Sequence, residues 1–144
     1  MEAATPLDSP GFLMWHATLR WQRIMSASLH PLRLTHVQFV LLAGVWWLTQ
    51  NAGPPSQVEL AHHAGTHVKM TSQVIRKLEA RGLLIRTQDV TDSRIKRLAP
   101  TPEGGALALA AIKVVEAADR SCFDGISNLD EFLGTMRKLA VPAR

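Results

Sequence analysis

One cysteine and no tyrosine occur in the 144 residues of this chain. With Cys122 as the sole thiol, a disulfide framework within the chain is excluded, and so is any zinc site built from several cysteines. The missing tyrosine removes one common general acid. Long apolar runs are missing too. The longest covers residues 39–48, ten residues, where a membrane span needs about twenty. The opening MEAATPLDSP has neither the basic region nor the apolar stretch of a secretory signal. The sequence holds no G-x-S-x-G, and its GPPS lacks the lysine and spacing of a phosphate loop. No cofactor and no enzyme activity are expected, and the expected setting is a reducing cytoplasm without a membrane partner.

What is present is an ordinary globular composition, 47% apolar and 19% charged, enough for one domain with a real core. The charge is unevenly placed. Residues 66–97 carry eight basic side chains against three acids, a net +5, while the remainder carries −1. A basic cluster of this kind is either a solvated surface or the footprint of a polyanionic partner.

The chain punctuates itself clearly. Residues 1–8 read as a tail. Ser9 and Pro10 start a helix that runs to about Leu29, closed by His30-Pro31. Its apolar residues form two stripes, Phe12, Trp15 and Leu19, then Met14, Trp21, Met25 and Leu29, so it is expected to be buried on two sides. Thr35 and Gln38 read as a capping box before a central apolar helix from Val37 to about Thr49. Ser56 and Glu59 read as another, opening a short helix from Gln57 to about Ala64. Gly65 ends that helix, and the next runs from Thr66 or His67 to Arg81 before Gly82. Its Val68, Val74, Ile75 and Leu78 are expected to face inward. Residues 83–88 and 95–99 read as a hairpin with a polar, basic tip. Helices follow over about 102–121 and 128–139.

A short helix, a glycine turn, a longer helix and a basic hairpin are the parts of a winged helix-turn-helix. The longer helix suits the major groove of DNA, about 12 Å wide. Its Lys69, Arg76 and Lys77 can pair with phosphate or guanine, and Gln73 can bond adenine. Thr71 and Ser72 can bond either a phosphate or a base. At the hairpin, Arg94 suits a narrow minor groove, and Lys96 adds charge.

The run from SQVELAHHAGTHVKMTSQVIRKLEARGLLIR through DSR to TPEGG, preceded by LTHVQFVLLAGV, resembles the MarR-type transcriptional regulators over roughly residues 12–123. The resemblance implies a mainly α fold with a small two- or three-stranded β wing. A winged helix-turn-helix lobe of about 35–101 would be flanked by dimerisation helices of about 9–30 and 102–140. It implies a homodimeric repressor of a pseudo-palindromic DNA site, with Arg94 in the minor groove and Asp92 bracing the wing through Arg86. It also implies a small aromatic or phenolic acid effector, for which Trp15, His16, Arg20 and Trp46 are the expected walls. Pro100 departs from the family pattern and suggests a second wing strand that ends early. Met70 meets a thymine methyl or packs inward. No reactive cysteine stands in the first helix, although a Cys122 bridge between subunits stays open. His62, His63 and His67 are divided by Gly65 and do not form a metal set. Two other readings use the same fold, a protein–protein module and a non-specific coat on DNA.

Overall fold

The computed structural model describes residues 5–141; of the expected tail, residues 1–4 lie outside that range. Pro6–Asp8 make a short 3-10 turn before the first helix. Helix α1, Pro10–Leu29, starts where Ser9 accepts a hydrogen bond from the Phe12 amide and Pro10 occupies the first turn, whose N–H would be unpaired in any case. A second 3-10 turn, His30–Leu32, closes it, and Arg33 then takes a left-handed conformation with φ 57°. The Arg33 carbonyl accepts a 2.6 Å hydrogen bond from the Arg81 guanidinium.

Helix α2, His36–Asn51, opens with the complete Thr35–Gln38 capping box. It is the central element, with Leu41, Leu42, Gly44 and Val45 buried. Helix α3, Gln57–Ala64, begins at Ser56, which accepts from the Glu59 amide. The expected reciprocal half is missing, because the Glu59 carboxylate is drawn to Arg97 instead. Gly65, at φ 69°, turns the chain into helix α4, Val68–Ala80. Strands β1, Leu84–Gln88, and β2, Lys96–Pro100, pair antiparallel with Leu84 opposite Pro100 and Gln88 opposite Lys96. An isolated bridge joins Ser56 to Arg97. Pro100 therefore completes the strand rather than shortening it. It stands at the last paired position, where its missing N–H removes little.

Helix α5, Pro102–Phe123, and helix α6, Leu129–Ala140, complete the chain. The core joins Leu29 of α1, Leu41 and Leu42 of α2, Leu60 of α3, Ile75 and Leu78 of α4, Leu84 and Leu98 of the hairpin, and Ala108 and Ala111 of α5. Truncating one of these leucines to alanine costs about 2–5 kcal/mol. Two positions on α4 depart from expectation. Val68, the first residue of the helix, is 47% exposed, and Thr71 is fully buried.

The α5 start is welded to the hairpin. Thr101 donates from its amide to the Leu83 carbonyl at 3.1 Å and from its hydroxyl to the Gly82 carbonyl at 2.6 Å, and it caps the Gly104 amide. A methyl at Gly104 would overlap the Leu83 carbonyl oxygen, so only glycine allows this approach.

Candidate nucleic-acid interface

Helix α4 is strongly two-faced. Ile75 and Leu78 anchor one side in the core. The other side carries Lys69, Gln73 and Arg76 at helical spacing, with Lys77 beside them, all exposed. Among the described residues none of the three cations pairs with a carboxylate, so each is free to meet a partner. Ser72 and Met70 are half-buried at the edge of this face. His67 caps the helix by accepting from the Lys69 amide at 3.2 Å.

Thr71 is a correction. It does not face outward. Its hydroxyl donates to the His67 carbonyl at 2.9 Å and accepts from the Thr66 hydroxyl at 2.6 Å. A small side chain that can pair internally is suited to the tight angle between α3 and α4, and here it holds the turn rather than a ligand.

The hairpin tip is organised around Asp89. Its carboxylate accepts from the Thr91 hydroxyl at 2.8 Å, the Thr91 and Asp92 amides, and Arg97 Nε at 2.9 Å. The Thr91 hydroxyl, then Arg97, then the Asp92 amide hold its carboxyl well below the usual carboxylate range. Arg97 also donates to Glu59 of α3 at 2.7 Å. Glu59 and then Asp89 raise the Arg97 pKa. The wing is thereby tied to the short helix as well as to itself. The Leu98 amide adds a 2.8 Å bond to the Pro55 carbonyl.

The expected Arg86–Asp92 brace is also corrected. Arg86 donates to Glu79 of α4 at 2.8 Å. Asp92 instead receives the amide, Nε and Nη2 of Arg94, at 3.0–3.1 Å. The cause is strand geometry: Arg86 lies opposite Leu98 on the face turned to the helices, whereas Asp92 lies in the tip. Arg94 is aligned by its neighbour yet its side chain is 89% exposed, and Lys96 is exposed beside it.

The four expected effector walls do not come together. Trp15 is 63% exposed, and His16 and Arg20 are exposed on the first half of α1. His16 packs on Phe12, with ring centres 4.5 Å apart. Trp46 is half-buried on the core side of α2, facing Gly105 of α5. A different cleft of about 480 Å³ lies among Trp21, Gln22 and Ser26 of α1, His36, Val37 and Val40 of α2, and the turn at Ala64 and Thr66. Trp21 donates to Asp119 of α5 at 2.9 Å and meets His36 edge-on, with centres 4.9 Å apart. Burial lowers the His36 pKa, and Asp119 opposes that shift. A spacing of fifteen residues between Trp21 and His36 carries no signal in the sequence. The Asp89–Thr91 turn did carry one, an aspartate two residues before a threonine in a polar loop. Among the described residues, no three histidine, cysteine, aspartate or glutamate side chains gather as a metal set. His63 stacks on Trp47 instead. No helix there is long and apolar enough to cross a membrane.

Comparison with known proteins places this geometry. The MarR family model matches residues 34–96. The HTH-type transcriptional regulator YdcH of Bacillus subtilis, itself uncharacterized, is 37% identical over 134 residues, 93% of this chain and 91% of its own. The HTH-type transcriptional repressor Rv2887 of Mycobacterium tuberculosis is 38% identical over 78% of each chain. The structure of that MarR family protein with salicylic acid superposes with a TM-score of 0.69, 34% identity, and coverage of 91% of this chain and 96% of its own. CouR of Rhodococcus jostii, solved with p-coumaroyl-CoA, gives a TM-score of 0.86 at 26% identity over 99% of both chains. A mainly helical chain with a two-stranded wing, alike to these proteins over nearly its full length, belongs to the MarR family of helix-turn-helix transcriptional regulators.

Proposed function

We propose that this regulator is a homodimeric, sequence-specific repressor acting on cytoplasmic DNA and released by a small molecule. The observation that carries it is the unpaired outward face of α4, Lys69, Gln73, Arg76 and Lys77, set beside a wing that presents Arg94 and Lys96. In the complex, α4 lies in a major groove, with Ser72 at its edge, and Arg94 enters the neighbouring minor groove. The reading lobe spans about residues 35–101. Residues 9–30 and 102–140 supply the dimer contacts. In support, Phe12, Leu13, Met14 and Trp15 on α1 and Leu129, Leu133, Met136 and Leu139 on α6 leave large apolar area exposed in one chain. Two heads on a dimer call for half-sites about 10 bp apart. The effector enters the cleft at Trp21 and His36, which touches both the dimerisation helix α1 and the turn that leads into α4.

Selection from random duplexes at about 150 mM salt, followed by anisotropy on the winners, tests this reading. A palindromic site bound by a dimer about a thousandfold over random DNA is expected. Equal binding to all duplexes would leave a non-specific coat. No DNA binding at all would leave a protein–protein module.

A further inference from the structure

We propose that the Trp21–His36 cleft takes an uncharged, planar aromatic molecule bearing amide-like hydrogen-bonding groups, that it rejects aromatic carboxylates, and that Asp119 sets this preference. The inference rests on the reading of this cleft as the effector site. It departs from the phenolic acid expected from the sequence.

The charge inventory carries the argument. A carboxylate in a protein cleft is ordinarily met by arginine or lysine, whose bonds to it are short and strong. Among the described residues of this chain, no arginine and no lysine lines the cleft. His36, the one ionisable group among the described residues of its wall, has its pKa lowered by burial, which outweighs the opposing pull of Asp119 and disfavours its cationic form. A fixed negative charge adjoins it through Trp21. Asp119 stands behind the Trp21 indole, accepts its N–H at 2.9 Å, and is close enough to bias His36. An anion within an indole's width of that carboxylate, at an effective dielectric of about 20–40, is disfavoured by roughly tenfold or more. A neutral ring meets no such field.

The remaining walls suit a neutral ring. Val37, Val40 and Ala64 offer apolar contact, and the Trp21 and His36 rings offer aromatic faces and edges. The Gln22 amide and Ser26 hydroxyl carry no hydrogen bond to the described residues and are available to a ligand. A volume of about 480 Å³ fits one or two rings. The site also has a path to α4. Thr66 forms part of its wall and donates to Thr71, the buried threonine inside α4. A ring wedged against Ala64 and Thr66 shifts the start of that helix relative to α1.

Benzamide and benzoate, equal in shape and different in charge, test the proposal on the full-length protein by ligand-observed NMR at pH 7.5. Fragments of this size bind at about millimolar strength. Benzamide is expected to bind about tenfold more tightly than benzoate. Asp119→Asn keeps an oxygen for the Trp21 N–H and is expected to bring the two probes within about twofold, by improving benzoate. Ser26→Phe, at an exposed position on the wall, is expected to block both. A preference for benzoate, an unchanged ratio in Asp119→Asn, binding that survives Ser26→Phe, or no binding of either probe overturns the proposal. Anisotropy on the selected operator separates the two readings. Benzamide binding with the expected charge preference but without operator release removes the cleft's regulatory role and leaves the ligand class standing. Operator release by benzoate alone removes the ligand class and leaves the repressor standing.

Discussion

The wing and helix α6 are both amphipathic, both near the chain's surface, and opposite in how they are finished. In the wing, Asp89, Arg97 and Glu59 close a network across two elements, and Leu84 and Leu98 are buried beneath it. Helix α6 has no buried residue, and its apolar side faces a groove of about 510 Å³ lined by Phe123, Ile126, Leu129, Phe132, Leu133 and Met136. Phe132 packs against Phe123, with ring centres 5.7 Å apart, and most of the remaining apolar area faces water. The wing is complete within one chain. Helix α6 keeps its apolar side uncovered in this chain, and the same hydrophobic patterning gives either result depending on whether a second surface is available.

The largest effect expected from this contrast comes from α6. Leu133→Asp combined with Met136→Asp puts charge on its apolar side and is expected to yield a monomer in sedimentation. Operator affinity should fall at least about a hundredfold, because the second head loses its effective concentration. Far-UV circular dichroism should barely change. A dimer that persists would show that α6 does not carry the dimer contact.

Next comes the wing. Arg94→Ala is expected to lower operator affinity by about tenfold and to reduce the salt slope by about one. Arg97→Ala should weaken binding by several-fold through a loosened tip. In the double variant, Arg94→Ala should cost less than it does alone, because a displaced tip has already lost the groove. Arg86→Ala, which breaks only the exposed pair with Glu79, should bind as the parent does. Strictly additive losses in the double variant would separate Arg97 from the placing of Arg94. The smallest effect on DNA belongs to Thr71→Val. It should leave operator preference unchanged while lowering stability by about 1–2 kcal/mol, read by thermal melting, since it orphans the hydroxyl bond with Thr66 and leaves the shape intact.

The elements were legible to within a residue or two because their ends are local physics. Ser9, Thr35 and Ser56 accept from amides three residues on, and Gly65 and Gly82 take the positive φ that stops a helix. The outward face of α4 followed from spacing in the same way. What the sequence hid depends on which groups meet across space. Glu59 looked like the second half of a capping box, and only the placement of β2 shows that Arg97 claims it. Arg86 and Arg97 alternate on opposite faces of the hairpin, so one reaches α4 and the other α3. The four residues expected as effector walls stand apart in this chain for a related reason. The rotation of α1 against α2 puts Trp21, not Trp15, beside the head, and His36 stands opposite only because of the turn at residues 30–33. Thr71 was misplaced because a threonine on a helix reads as polar until its internal partners are known.

The weld at Thr101 and Gly104 has a mechanical consequence. With α5 fastened to Gly82 and Leu83 by hydrogen bonds and by an approach too close for a methyl, the hairpin and the start of α5 are held together at this joint. Helix α5 then works as a beam. At 22 residues it is about 33 Å long, so a tilt of about 5° at the Phe123 end swings the other end by roughly 3 Å. The angle at which the two beams cross would be the variable that sets the gap between the heads.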